Sequence, residues 1–142
     1  MSDKITLKYT VDGTDFSKAG LASSDMKRTL KQIGYDPAVI RCVSIAMYEG
    51  EINMVIHANG GEITANISPD KVEMWLSDSG PGIPDVELAM KEGYSTATDN
   101  VRDLGFGAGM GLPNIKKYTD ELKIDTEVGV GTTVYMRINN NK

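Results

Sequence analysis

One cysteine, Cys42, is all the chain has, so no internal disulfide can hold it together. One histidine, His57, and no Cys/His cluster at ligand spacing exclude a structural zinc as well, and both scarcities point to a reduced, cytoplasmic setting. Long apolar runs are missing. The opening MSDKITLKYTVDG is short, alternating and polar, unlike a signal peptide, and no stretch approaches the ~20 apolar residues of a membrane span, so no membrane association is expected. Positive charge is also in short supply: 15 Lys and Arg against 20 Asp and Glu leave a formal net charge of −5. A protein that binds nucleic acid non-specifically needs a basic face to neutralise phosphates, so direct nucleic-acid binding is not expected. A nucleotide bound at one local site is compatible with that balance.

At 142 residues the chain suits a single domain, 1–142, large enough to bury a core without covalent or metal staples. Ile5, Leu7, Tyr9 and Val11 alternate with polar residues, predicting a strand that ends at Asp12-Gly13. Apolar residues recur at helical intervals from Phe16 to Ile33, with Gly34 as the stop. A long helix follows to about Ala58, opened by Asp36 as cap and Pro37 at its first position and closed by Asn59-Gly60-Gly61. Two strands, Glu62 to Ile67 and Val72 to Asp78, flank a Pro69-Asp70 turn. A short helix near Val86 to Glu92, a polar stretch from Ser95 to Gly111, a helix from Leu112-Pro113, and strands at Glu121 to Glu127 and Thr132 to Ile138 complete the chain. Early helices and late paired strands predict an α+β two-layer sandwich: a mixed, mostly antiparallel sheet covered on one face by helices. Trp75, Cys42 and the methionines are assigned to its core.

On the long helix, Cys42, Ile45, Ile52 and Ile56 make an apolar stripe, and Glu49 and Asn53 fall within it. Glu49, Asn53 and His57 follow one another at intervals of four and stack along one side. An unpaired carboxylate is costly to bury, so Glu49 belongs at the edge of a pocket, whereas Glu51 points away and reads as an exposed charge. The Asn53 amide oxygen, with water and phosphate oxygens, suits Mg²⁺, and a carboxylate one turn away could take a proton from an attacking hydroxyl. His57 is left as a cap or core residue. Gly50, unusual inside a helix, suggests close packing.

In SDSGPGIPD, residues 77–85, an aspartate at a strand end precedes two glycines that let a flat ring approach the backbone. Its carboxylate can accept the exocyclic amino hydrogen of adenine, where guanine presents a carbonyl; a mispaired buried group costs about 1–3 kcal/mol. Further on, GFGAGMG, residues 105–111, puts glycine at four alternate positions before a helix. Glycine is unfavourable in regular structure, and bare amides next to a helix start suit a phosphate. Neither G-x-x-x-x-G-K-[ST] nor G-x-G-x-x-G is present, nor a G-x-S-x-G elbow around Ser79, nor H-E-x-x-H.

In order, these segments resemble the boxes of the GHKL ATPases, the gyrase, heat-shock chaperone, histidine kinase and mismatch-repair type of ATP site. EGEIN with His57 resembles the Asn box, DSGPGI the first glycine box, GFGAGMG the second and GVGTT, residues 129–133, the third. The segments GPGIPDVELAMKEGYSTA and GMGLPNIKKYTDEL look most like the small bacterial serine/threonine kinases of sigma-factor control, both anti-sigma factors and switch kinases. The resemblance implies transfer of the γ-phosphoryl group of ATP to a serine or threonine of a small antagonist protein, with a sigma factor or other regulator as further partner. It implies that Asn53 coordinates Mg²⁺, Glu49 is the general base and Asp78 contacts the adenine amino group, with Thr132 supporting Asp78 through water. Gly80, Gly82 and Ile83 would line the adenine pocket. Gly105, Gly107, Gly109 and Gly111, with Met110 and Leu112, would close over the phosphates, which Ser95 and Thr96 would touch and Arg102 or Lys116 would meet with positive charge. A homodimer through the first helix or first strand fits the same resemblance. The alternative is a module that sequesters its partner under ATP control with little or no transfer. A histidine kinase catalytic domain is disfavoured, since no helical hairpin carries a phosphoacceptor histidine.

Overall fold

The computed structural model describes residues 4–13, 19–58, 60–80, 82 and 111–140. Among them the order is β1 (Ile5–Asp12), α1 (Leu21–Gln32), α2 (Pro37–Ala58), β2 (Gly60–Ser68), β3 (Lys71–Asp78), α3 (Gly111–Lys117), β4 (Glu121–Glu127) and β5 (Gly131–Asn139). The short helix expected near Val86 to Glu92 lies outside the described residues, as do the side chains of Ile56 and His57.

Five strands form one sheet in the order β1-β2-β3-β5-β4, and all four ladders are antiparallel. Tight turns account for two of the pairings: Pro69-Asp70 joins β2 to β3, and the turn at 128–130 joins β4 to β5. Period-two alternation sends Ile63, Ala65 and Ile67 of β2, and Val72, Met74 and Leu76 of β3, to one face, where all are buried. The helices cover that face: Met26 and Leu30 of α1, Val43 and Met47 of α2 and Ile115 of α3 are fully buried in the same core. The architecture is therefore α+β in two layers, with the sheet wholly antiparallel among the described residues. No helix among them is long and apolar enough to cross a membrane.

Trp75 departs from expectation. It lies one step off the Met74 position and so faces the open side of the sheet, where its ring meets that of Tyr135 with centroids 5.2 Å apart. Cys42 is half-buried at the margin of the core. The first helix begins at Leu21, because Gly20 takes a left-handed φ of 99° at the N-cap. Gly34, with φ 82°, provides the expected stop. At the head of α2 the Asp36 carbonyl accepts the Ile40 N–H at 3.0 Å, while its Oδ2 is buried and accepts no hydrogen bond.

Gly50 explains how α2 lies so close to the sheet. A Cβ at that position would stand 2.4 Å from Leu76 Cδ2, so any larger side chain here requires Leu76 of β3 to shift.

Candidate functional site

Most of the long helix is buried or half-buried, with Val43, Ala46, Met47, Gly50 and Met54 among its buried residues and Pro37, Ala38, Arg41 and Tyr48 exposed. Cys42, Ile45, Glu49 and Asn53 are only half-buried and follow one line along it. Glu49 and Asn53 thus stand at an edge of the buried surface, as a pocket lip requires. The Asn114 amide on α3 donates to Glu49 Oε2 at 3.2 Å, so Glu49 faces the helix that follows the second glycine segment.

Glu51 corrects the sequence reading. It is 2% exposed, and its two carboxylate oxygens accept the backbone N–H groups of Ala22 (3.1 Å) and Ser23 (3.2 Å). Those are amides of the first turn of α1, which have no partner within their own helix. Gly20 has no side chain with which to cap, so a carboxylate from α2 satisfies them, and its negative charge meets the positive end of the helix dipole. Spacing along α2 could not show this, because the partner amides lie 28 and 29 positions earlier.

At the end of β3, Asp78 Oδ1 accepts two backbone N–H groups, from Gly80 at 2.9 Å and from Thr132 at 3.2 Å. One carboxylate oxygen is thereby fixed, and Oδ2 accepts nothing among the described residues. The register explains the Thr132 contact, since Asp78 and Thr132 are paired across the β3–β5 ladder. Thr132 therefore reaches Asp78 directly through its main chain. Its buried hydroxyl pairs with that of Thr126 at 2.8 Å. The third glycine segment, GVGTT, thus forms the turn that delivers Thr132 beside the first.

Gly82 belongs to the same corner. Its φ is 81°, and a Cβ there would lie 2.6 Å from the Glu127 carbonyl oxygen, so the loop after Asp78 rests on the β4–β5 turn at backbone distance. Gly80 is half-buried beside Asp78. Gly111 opens α3, Leu112 packs at the edge of the core and Lys116 is exposed in its last turn. Ile83, Ser95, Thr96, Arg102, Gly105, Gly107, Gly109 and Met110 lie outside the described residues.

No three His, Cys, Asp or Glu side chains gather into a metal cluster among the described residues. A hard, largely hydrated cation that needs one amide oxygen fits Asn53; a metal needing an all-protein cage does not. A cavity of about 550 Å³ lies elsewhere, between the end of α1 and the start of α2, and includes Lys27, Lys31, Tyr35 and Arg41. It contains none of the motif residues.

The sequence motifs missed two residues that the structure brings in. Asn114 carried only a weak signal, an asparagine inside a short helix. Glu51 carried none beyond a charge on a largely apolar helix.

Comparison with known proteins bears on the family and the fold. The chain is 29% identical over 112 residues to the serine/threonine-protein kinase RsbT of Bacillus subtilis, covering 76% of this chain and 78% of that protein. It is 28% identical over 146 residues to the anti-sigma F factor of Clostridium acetobutylicum, covering 96% and 94%. Among solved structures it resembles that of the RsbU and RsbW domains of Rv1364c from Mycobacterium tuberculosis, with a TM-score of 0.63 at 19% identity, a likeness of fold. That match covers 94% of this chain, which spans about a third of the mycobacterial chain (32%). The histidine kinase-like ATPase domain family matches residues 16–138, and the chain, with its Asn box and glycine boxes in order, belongs to it.

Proposed function

We propose that the protein is a single ATP-binding unit, residues 1–142, that transfers the γ-phosphoryl group of Mg·ATP to a serine or threonine hydroxyl of a small regulatory protein. The observation that carries this reading is Asp78: its Oδ1 is held by the amides of Gly80 and Thr132, which leaves Oδ2 to accept the adenine amino group. Gly80, Gly82 and Ile83 form the adenine walls in this reading. Glycines 105, 107, 109 and 111, with Ser95, Thr96, Met110 and Leu112, serve the phosphates.

Glu49 is the general base. The acceptor oxygen forms a bond to the γ-phosphorus while its proton passes to a Glu49 oxygen. The bond from the γ-phosphorus to the β–γ bridging oxygen breaks, and ADP leaves with that electron pair. Asn53 would hold Mg²⁺ through its amide oxygen, and the ion would supply neutralisation of the phosphate charge. The relatives named above support a partner that is an antagonist protein of a sigma-factor circuit or the sigma factor itself. A cytoplasmic location accords with the use of ATP. Among the described residues strand β1 lies at one edge of the sheet, and a homodimer through it or through α1 belongs to the same reading.

The test is calorimetric titration of Mg·ATP into wild type, Glu49→Ala and Asp78→Asn, followed by transfer assays on candidate antagonist proteins. Wild type and Glu49→Ala bind, Asp78→Asn binds far more weakly, and only wild type transfers. Binding by wild type with equal or absent transfer in wild type and Glu49→Ala supports the sequestering alternative instead.

A further inference from the structure

Glu49 and Asn114 lie 65 positions apart in sequence, yet the Asn114 Nδ2 donates to Glu49 Oε2 at 3.2 Å. An ionised carboxylate offers no proton, so the amide must present its nitrogen to it, and the partner decides the orientation of the Asn114 side chain. Asn114 sits on α3 directly before Ile115, which is fully buried and holds the register of that helix against the core. Asparagine is disfavoured inside helices because its side chain competes for backbone groups. Here the side chain reaches across to another helix.

The chemistry of the donor matters. A lysine or arginine at this place would hold Glu49 in position but would strongly favour its charged form and weaken it as a base. The Asn114 amide is neutral and orients the carboxylate without placing a positive charge beside it. It engages Oε2 and leaves Oε1 to receive a proton.

We propose that Asn114 is a positioning residue that aims Glu49 at the acceptor hydroxyl. This rests on the reading of Glu49 as general base. Asn114 touches neither nucleotide nor acceptor in this scheme; it acts through Glu49 alone.

The proposal separates binding from transfer. Asn114→Ala and the neutral, near-isosteric Asn114→Leu, which lacks the donor, should keep Mg·ATP affinity within about twofold by calorimetry. Single-turnover hydrolysis of γ-labelled ATP, with water as acceptor, should slow by about 10- to 100-fold in both. Asn114→Gln, which retains the donor, should recover part of that loss. In a Glu49→Ala background, Asn114→Ala should add no further slowing. Independently of activity, the side-chain amide resonances of Asn114 in the full-length protein, identified by their disappearance in Asn114→Ala, should move on Glu49→Ala.

Wild-type hydrolysis in Asn114→Ala, or amide resonances indifferent to Glu49→Ala, would overturn the proposal. Should Asn114→Ala fail to fold, the Leu and Gln variants decide by the same comparison. A wild type that binds no ATP overturns the proposed function, and the role of Asn114 with it. A shifted amide signal in that case still establishes the hydrogen bond, so the two failures are told apart.

Discussion

The Glu51 carboxylate, two residues from Glu49 on α2, accepts the backbone N–H of Ala22 at 3.1 Å and so caps a helix that lies earlier in the chain. The helix that carries the proposed base therefore also anchors α1. Glu51→Ala leaves two first-turn amides without their partner in a buried setting and should destabilise the fold by about 2–3 kcal/mol. Glu51→Gln, which keeps one acceptor oxygen, should lose roughly half as much. Urea denaturation of both variants measures the difference.

Gly50→Ala tests the contact between α2 and the sheet. On an exposed helix face this change stabilises by about 1 kcal/mol, because alanine is the better helix former. Here the new methyl meets Leu76 Cδ2, and overpacking of this kind costs about 1–3 kcal/mol. A net loss of stability in thermal or urea unfolding is expected, and a net gain would mean that Leu76 gives way freely.

Asp78→Asn should leave the fold intact and weaken ATP. The retained carbonyl oxygen can still accept the Gly80 and Thr132 amides, while the new NH₂ faces a donor on adenine. Loss of that pairing at a buried edge is worth about 1–3 kcal/mol, a drop in affinity of roughly 5- to 150-fold. Wild type should also prefer ATP to GTP, and calorimetry with both nucleotides checks the two statements together.

Alkaline stability should report on Tyr35. Its hydroxyl donates to the Ser68 carbonyl, and burial, helped by the nearby Asp70 charge, pushes its pKa up to about 12 from 10. The folded state therefore favours the neutral phenol. That contribution is complete below pH 10, where unfolded tyrosine is also neutral, and it disappears as pH rises from about 10 through 12. Tyr35→Phe should be less stable at neutral pH by about 1 kcal/mol, the net worth of one hydrogen bond. Its denaturation midpoint should fall less steeply than wild type between pH 10 and 12, as measured by urea titration at fixed pH steps.

Strand alternation at Ile5 to Val11, the cap-and-stop punctuation at Pro37, Gly34 and Gly60, and the hairpin turn at Pro69-Asp70 were legible because local backbone preference and nearest-neighbour periodicity determine them. The order of the four motifs was legible too, since each is a contiguous run with its own backbone chemistry. Trp75 was misplaced for a simple reason: its size suggests a core residue, but parity along β3 sends it to the other face once Val72, Met74 and Leu76 are buried. Position 51 was misread because an isolated glutamate looks the same in sequence whether it meets water or a helix terminus.

The sequence by itself determined which of the described segments become strands and helices. Only the tertiary structure decided that Thr132 holds Asp78, that Glu51 caps α1 and that Asn114 faces Glu49. These are contacts between residues 28 to 65 positions apart. They form because strand register and helix packing bring the groups together, and no local preference of the chain specifies a donor that far away.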